Sequence, residues 1–400
     1  MKRKILSIIM LVIITGLFTH AEAKKDISDE KISNAVKTEL MAHADVPSFL
    51  EVTTASGIVT LSGEVRNLLI RDRAEEIALS VKGVKGVVSQ IEVDAPNPGD
   101  EILKERIEEV LENDPATQLD DYQIEVNNGV VTLKGRVNSW QEKQLASQIV
   151  KGVTGVTKVI NKVDFYIDLQ RPDQEIKSEI EKVFKYDVKI DDALINIRVE
   201  EGNVILRGIV GSASEKRRAR MKAWVSGVQR VETENLEVKY WARNENLRGE
   251  KYKSITDKKI KEAIKDAFTY DPRVHSQKIT VSVKEGKVIL SGKVDNVKAK
   301  HAAANDARNI IGVHKVENRI RIIPSIVAND EGIEEDIRNA FIADPFLEYS
   351  NISLMVENGK VTLSGEVNSS FEKYKAEDIV SKVKGVVKIN NNLQIQGEQA

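Results

Sequence analysis

The ten residues from Asn128 to Val137 read Asn-Gly-Val-Val-Thr-Leu-Lys-Gly-Arg-Val and contain the most informative pattern of the chain. Asn-Gly between two runs of alternating hydrophobicity is the strongest short-range signal for a β-hairpin, because the turn needs positive φ. The residues after the turn place Val, Leu, Gly and Val on one face of a strand, since side chains alternate between faces. The stretch therefore predicts a hairpin whose second strand lies on a hydrophobic core.

The same signature, Gly-x-Val-x-Leu-x-Gly-x-Val, occurs five times along the 400 residues. Its first glycines are separated by 72, 73, 84 and 73 residues. Such a period indicates five repeated units of about 70 residues each. The glycines of the turns are Gly57, Gly129, Gly202, Gly286 and Gly359, and those within the strands are Gly63, Gly135, Gly208, Gly292 and Gly365.

Each strand glycine is followed eleven residues later by an alanine of the predicted second helix. These alanines are Ala74, Ala146, Ala219, Ala303 and Ala376. Glycine inside a strand usually marks the close approach of another element. We therefore expect the alanine to pack directly over the strand glycine. A phosphate-binding glycine loop is disfavoured, because the motif ends a hairpin and does not open a helix.

An aspartate stands at the start of the first predicted helix of every unit. These residues are Asp29, Asp100, Asp173, Asp257 and Asp330. We interpret them as helix caps, because a carboxylate satisfies free amides and suits the helix dipole. The predicted order within a unit is then α-β-β-α-β. The fold class is α+β, with two helices on one face of a three-stranded mixed sheet.

The repeat spacing predicts units at residues 26–96, 98–166, 171–240, 256–323 and 328–396. The polar stretch 241–255 is predicted to be a linker, which suggests a group of three units followed by a group of two. Because a core built from about 70 residues is marginal, we expect neighbouring units to stabilise one another.

The first 23 residues are predicted to be a cleaved signal peptide. They combine the basic residues 2–4, the apolar residues 5–18 and the small-residue cleavage site Ala21-Glu22-Ala23. No later segment is apolar enough to cross a membrane, so we expect an exported, soluble protein in the periplasm. The chain has no cysteine, which excludes disulfides, thiolate metal sites and a lipoprotein anchor.

The repeated unit resembles the BON domain of bacterial osmotically-inducible and nodulation proteins. Besides the hairpin, the likeness rests on a Gly-Val-x-x-Val-x-Asn stretch at residues 155–161, 312–318 and 385–391. Unit 1 departs from it with Ser89 in place of asparagine, and in unit 3 Gly227 arrives one position early. We expect these two units to be less regular near their third strand. The resemblance implies a non-enzymatic envelope protein, associated with envelope or osmotic stress, that attaches to phospholipid membranes.

The sequence gives little sign of catalysis or of a cofactor. No histidines have the spacing of metal ligands, and no nucleophile elbow, P-loop or dinucleotide fingerprint occurs. Asp187, Asp191 and Asp192 lack the spacing of a calcium loop and are expected to form a solvated acidic loop. We therefore predict no catalytic residues, no metal and no cofactor.

One basic cluster is a candidate for binding anionic lipid. It consists of Lys216, Arg217, Arg218, Arg220 and Lys222, followed at once by Trp224. Basic residues near a membrane surface are attracted to anionic lipids, and tryptophan favours the interface. The alternative is an ordinary solvated helix face. Nucleic acid is disfavoured as a partner because the net charge is −2 and the chain is exported.

Aromatic residues near the end of the first helix are a second candidate. Phe184, Phe268 and Phe341 align three residues before an aspartate and are expected to close the core. Tyr186 and Tyr270, one residue before it, are expected to be freer to face outward and are weak lipid-binding candidates. Partial core burial is expected for a further aromatic residue, Trp140.

Two functions remain open from the sequence. The first is attachment to a phospholipid surface by many weak contacts, which repetition strengthens if several units engage together. The second is a protein-interaction or chaperone-like scaffold for envelope proteins, because open sheet edges can accept a strand.

Overall fold

The structure is a computed structural model. It describes residues 27–43, 46, 49–117, 121–243, 251, 255–274, 276–324, 328–344, 346–347 and 351–396. The predicted signal peptide and most of the predicted linker lie outside these residues. Within the described residues, no helix has the length and hydrophobicity needed to cross a membrane.

Ten α-helices are described, two for each unit, so that odd numbers denote the first helix of a unit and even numbers the second. They are Asp29–Met41 (α1), Leu68–Ser80 (α2), Asp100–Asn113 (α3), Trp140–Lys151 (α4), Asp173–Tyr186 (α5), Ala213–Lys222 (α6), Asp257–Thr269 (α7), Val297–Arg308 (α8), Asp330–Ala343 (α9) and Ser370–Val380 (α10). Short 3₁₀ helices are described at Asp192–Leu194, Tyr240–Arg243 and Ser276–Lys278.

The strands form one sheet per unit. They are Glu51–Ala55 (β1), Ile58–Val65 (β2), Gly86–Val93 (β3), Asp121–Asn127 (β4), Val130–Val137 (β5), Lys158–Asn161 (β6), Asp164–Phe165 (β7), Ile195–Glu200 (β8), Asn203–Val210 (β9), Arg230–Glu232 (β10), Leu236–Val238 (β11), Ile279–Lys284 (β12), Lys287–Val294 (β13), Lys315–Ile322 (β14), Asn351–Glu357 (β15), Lys360–Val367 (β16), Lys388–Asn391 (β17) and Gln394–Ile395 (β18).

Every sheet is mixed, and its second strand is central. In unit 2, Val131 of β5 lies opposite Val126 in the antiparallel partner β4 and opposite Val159 in the parallel partner β6. The inward face of β5 is buried at Val131 and Leu133, as the period of two requires. The predicted α+β fold with five repeated units is confirmed.

The hairpin turn has the predicted conformation. In unit 2, Asn128 has φ 48° and Gly129 has φ 74°, so both central residues of the turn are left-handed. Turns of this kind match the twist of the flanking strands. The predicted role of the turn glycine is confirmed.

The strand glycine lies close to the backbone of the first strand of its unit. Gly135 has φ 133°, and an added Cβ would fall on the carbonyl oxygen of Asp121, at the start of the first strand. At Gly63, the described atoms within 4 Å of the same position, apart from those of its chain neighbours, belong to Leu50. Close backbone approach is therefore the reason for the glycine. The alanines are fully buried in the cores, and their packing over the glycines stays a prediction.

The repeated aspartates have a role that the sequence interpretation missed. Asp100 is the first residue of α3, and its two carboxylate oxygens accept hydrogen bonds from the turn amides of Asn128 and Gly129. The same pair of bonds occurs in all five units. In unit 4, these amide bonds lower the pKa of Asp257. The aspartate thus ties the first helix to the hairpin, and the interpretation as a cap of its own helix is wrong.

The third strands confirm one expected irregularity and contradict the other. In unit 3, the register between the second and third strands is not constant. Val231 lies opposite Val204, whereas Leu236 lies opposite Gly208, so the register shifts by one residue between these two pairs. The early glycine therefore produces the predicted irregularity. In unit 1, β3 is continuous and pairs with β2 along eight residues, so the expectation there is wrong. Serine at position 89 does not interrupt that ladder.

The units are folded back on one another through their helices. The loop after α4 reaches unit 5, where the amide of Thr154 donates to the carbonyl of Ala343 at 2.8 Å. The equivalent loop of unit 4 reaches unit 3, where the amide of Ile311 donates to the carbonyl of Tyr186 at 2.9 Å. Each donor follows its strand glycine by nineteen residues, and each acceptor directly precedes a buried aspartate. We call these two contacts the helix-end joints.

Unit 1 is attached in another way. Its buried residues form one continuous core with those of unit 3. Ion pairs join Glu76 of α2 to Arg217 of α6 and Asp72 of α2 to Lys151 of α4. Unit 1 has His43 at the position where units 2–5 have a buried aspartate after the first helix. The expectation that units stabilise one another is consistent with this packing.

Candidate interaction surface

Two of the five candidate cations of α6 are held by acidic partners. The Nε of Arg218 donates to both carboxylate oxygens of Asp187, at 2.8 and 2.9 Å. Asp187 is only 4% exposed, so this charge-assisted pair compensates a buried carboxylate. Arg217 pairs with Glu76 of unit 1. Both arginines therefore contribute to internal packing.

The other three cations have no such partner among the described residues. No described carboxylate lies within 4 Å of Lys216, Arg220 or Lys222. Partial burial lowers the pKa of Lys216. Arg220 is exposed beside Met221, which is 48% exposed. The solvent side of α6 thus carries a cation next to an apolar side chain.

Trp224 faces the interior between two units. Its ring stacks on Trp140 of unit 2 with centroids 5.0 Å apart and an angle of 4° between the planes. Phe165 meets the same ring edge-on at 5.8 Å. Trp140 is half-buried, as expected. The side chain of Gln141 donates to the carbonyl of Trp224 at 2.6 Å, which fixes the contact.

The expectation that the two tyrosines face outward is wrong. Tyr186 is 9% exposed and belongs to the core of unit 4. Tyr270 is half-buried, and its hydroxyl donates to Glu179 of unit 3. The physical reason is that the first helices of units 3 and 4 pack together, which covers both side chains. The predicted burial of Phe184, Phe268 and Phe341 is confirmed.

Four of these aromatic residues, both tryptophans and both tyrosines, surround one cavity of about 150 Å³ where units 2, 3 and 4 meet. We call it the Trp cavity. It is lined by Trp140, Gln141, Lys182, Val183, Tyr186, Asp187, Met221, Lys222, Trp224, Ala263, Asp266, Ala267, Tyr270 and Ile310. The structure therefore brings together Tyr186, Tyr270, Lys222 and Trp224, which come from separate parts of the sequence.

A second cavity of about 160 Å³ lies where units 1, 2 and 5 meet. We call it the Leu69 cavity, after the residue that unit 1 contributes. Its apolar walls come from α2, α3, α4, α9 and α10. Its charged residues are Glu109, Asp114, Asp336, Asp344, Lys375, Lys382 and Lys384. Each lysine has a partner: Lys375 binds Asp344, Lys382 binds Asp378, and Lys384 donates to the carbonyl of Glu112.

The acidic residues after α5 are not a solvated loop, contrary to expectation. Asp187 and Asp191 are buried, because Arg218 and the neighbouring unit cover this segment. A second acidic group lies in unit 4, where Arg273 binds Asp271. The pKa of Asp306 is raised to about 7, mainly by burial and secondly by the nearby charge of Asp271. Within the described residues, no group of three histidine, aspartate or glutamate side chains is placed to hold a metal ion.

A tandem array of small α+β domains, joined by their helices, is the class of protein that this fold defines. The chain belongs to the BON domain family, and the domain matches residues 28–95, 99–165, 172–240, 256–324 and 329–397. The resemblance inferred from the sequence is confirmed.

Three curated relatives match about a third of this chain. Osmotically-inducible protein Y of Escherichia coli is 32% identical over 143 residues, which cover 34% of this chain and 71% of that protein. The outer membrane lipoprotein DolP of Haemophilus influenzae is 26% identical over 140 residues, or 34% of this chain and 72% of that protein. The 21 kDa hemolysin of Actinobacillus pleuropneumoniae is 25% identical, with the same coverage.

Proposed function

We propose that this protein is an exported, non-enzymatic component of the bacterial envelope that attaches to phospholipid membrane surfaces. Membership of the BON domain family supports this proposal, as do relatives named for the outer membrane and for osmotic induction. The predicted signal peptide and the absence of cysteine favour a periplasmic protein without a lipid anchor. Its role would be tolerance of envelope or osmotic stress.

The exposed side of α6 is the surface that favours membrane contact. Arg220 is exposed and has no acidic partner among the described residues, and the adjacent Met221 exposes an apolar side chain. A cation next to an exposed apolar group suits the boundary between headgroups and acyl chains. This juxtaposition is the observation that carries the proposal. Of the original candidates, Lys216, Arg220 and Lys222 remain available for an anionic ligand.

Vesicle co-sedimentation tests the proposal. We expect the chain to sediment with vesicles that contain anionic phospholipid at low salt and to bind neutral vesicles less. Arg220→Gln is expected to weaken anionic binding several-fold, because each basic residue near the surface contributes about 1 kcal/mol. Arg308→Gln, which removes an exposed arginine from α8 in unit 4, is the matched control and is expected to bind normally. Equal loss in both variants, or no vesicle binding at all, would contradict the proposal.

A scaffold for envelope proteins is the second candidate. The observation that favours it is the edge strand β3, which pairs only with β2 among the described strands and exposes Val88. A free edge of this kind accepts an added strand from a partner. Val88→Pro blocks strand addition at that position. It is expected to abolish protein capture and to leave vesicle binding unchanged if this function is the correct one.

A further inference from the structure

The Trp cavity has the dimensions and walls of a small-molecule site. Its volume is about 150 Å³, and its space arises where two small residues of α7, Ala263 and Ala267, face the aromatic residues of units 2 and 3. A mostly apolar cavity of that size takes a small apolar group. It accommodates part of one hydrocarbon chain, whereas a phospholipid brings two chains.

Nearly all polar groups around the cavity satisfy one another. Lys182 pairs with Asp266 at 2.5 Å, and this bond raises the pKa of Lys182. Gln141 donates to the carbonyl of Trp224, and Asp187 is bound by Arg218. These groups therefore have no need of a ligand, and the walls between them offer only apolar and aromatic surface.

Lys222 is the exception. It lines the cavity and is half-buried, and no described carboxylate lies within 4 Å of it. The acidic groups nearby are engaged or weakly charged: Asp271 is bound by Arg273, and burial raises the pKa of Asp306 to about 7. Lys222 interacts with the carboxylates of Asp271 and Asp306 only at longer range, so an anion placed within hydrogen-bond distance of its half-buried ammonium would be stabilised.

We propose that the Trp cavity binds one single-chain anionic amphiphile, such as a fatty acid. The hydrocarbon chain occupies the space between Trp224, Tyr270 and Ala267, and the carboxylate binds the Lys222 ammonium. Pockets of this kind combine an apolar lining with a few polar groups that fix orientation. This inference goes beyond attachment to a membrane surface, because the ligand enters the protein at a junction of three units.

Intrinsic fluorescence tests the proposal without vesicles. In the Trp241→Phe variant of the full chain, Trp140 and Trp224 are the remaining tryptophans, and both line the cavity. Decanoate, at concentrations below micelle formation, is expected to change their emission with saturation at one ligand per chain. Decyltrimethylammonium, with the same chain and the opposite charge, is expected to bind at least tenfold more weakly.

Two variants locate the site. Ala267→Phe fills the cavity and is expected to weaken decanoate binding at least tenfold. Ala340→Phe is the matched control, because Ala340 occupies the same position of the repeat, is also half-buried, and lines the Leu69 cavity. Lys222→Met is expected to weaken decanoate binding about tenfold, because a hydrogen bond to a charged group is lost. Binding of decanol, which has the same chain and no charge, is expected to stay unchanged.

Several outcomes would overturn the proposal. They are the absence of decanoate binding, equal binding of the two charged amphiphiles, and loss of binding in Ala340→Phe with retention in Ala267→Phe. If Ala267→Phe does not fold, as judged by circular dichroism, the head-group comparison and Lys222→Met decide alone. Because no vesicle is present, failure here is distinguishable from failure of membrane attachment.

Discussion

The Trp cavity and the Leu69 cavity each lie beside a helix-end joint of the same kind, but the side chains that line them differ. In each, a loop amide donates to the carbonyl that ends the first helix of another unit, Ile311 to Tyr186 and Thr154 to Ala343. Beside the first joint lie stacked aromatic rings and Lys222, which has no described carboxylate within 4 Å. Beside the second stand aliphatic side chains and three lysines that all have partners. The two joints share one hydrogen-bond pattern, whereas the cavities beside them have different linings. A binding property of one cavity therefore cannot be assigned to every repeated unit.

The largest difference is expected between buried aspartates beside the two cavities. Asp187→Ala removes the partner of Arg218 and leaves an arginine charge largely buried, which costs about 3 kcal/mol. Asp114→Ala in unit 2, beside the Leu69 cavity, mainly removes the bond from the amide of Ala116, a loss of about 1 kcal/mol. Urea unfolding monitored by circular dichroism measures both. Equal losses would contradict the distinction drawn between the two cavities.

A hydroxyl distinguishes the joint of units 2 and 5. The Thr154 hydroxyl donates to the carbonyl of Ala343 at 2.9 Å, in addition to the amide bond, and the threonine is buried. Thr154→Val keeps the shape and removes this bond. We expect a loss of about 1 kcal/mol in the free energy of unfolding. Thr157→Val, a change of the same kind outside the joint, serves as the control and is expected to have a smaller effect.

The pH dependence of stability is expected to come from the joint of units 3 and 4. Asp306 stands on α8 where the repeats of units 2 and 5 have Ile149 and Ile379. Its pKa of about 7 lies above the ordinary value of 3.8, so folding favours the protonated carboxyl. Its contribution to stability is complete below about pH 4 and is lost as the pH rises through 7.

Asp306→Asn is expected to remove this loss. At pH 8 the variant should be more stable than the wild type, and the difference should shrink toward pH 4. Asp336→Asn beside the Leu69 cavity, where burial raises the pKa less, is expected to act in the same direction with a smaller amplitude. Thermal unfolding across this pH range checks both. A stability gain at pH 4 as large as that at pH 8 would refute the assignment.

The smallest effect is expected where unit 1 is attached. Arg217 and Glu76 are both substantially exposed, so Arg217→Gln is expected to cost at most about 0.5 kcal/mol. The cost should vanish in high salt, because surface charges are screened. A large loss that persists in 1 M salt would show that this pair is an anchor equal to the helix-end joints.

Local rules predicted the units themselves. The Asn-Gly turn and the period of two in β5 gave the hairpin correctly, because both depend on the conformation of a few neighbouring residues. The role of Asp100 in binding the turn was missed. The available signal was the spacing from the helix aspartate to the turn glycine, which is 29 residues in units 2–5 and 28 in unit 1. Burial of Tyr186 had no such signal, since it depends on which unit packs against it.

The candidate site could be predicted only in part. The cluster in α6 and the aromatic residues were recognised, but not that Trp224, Tyr270 and Lys222 meet around one cavity. Their meeting depends on units 3 and 4 packing together across the linker, whereas the linker suggested three units followed by two. Contacts between whole units are set by complementary surfaces, which no short sequence pattern encodes.

Cross-linking tests the folded-back arrangement most directly, because the natural chain has no cysteine and offers no background. Thr154→Cys with Ala343→Cys places two thiols at the joint of units 2 and 5, where the backbones are hydrogen-bonded. A disulfide formed with a mild oxidant requires Cα atoms about 4.4–6.8 Å apart, and a short bismaleimide, which alkylates both thiols, tolerates somewhat more. We predict rapid intrachain cross-linking of the dilute folded protein, with Thr154→Cys and Met355→Cys as an unreactive control pair. Free thiols or products between chains alone would contradict the account.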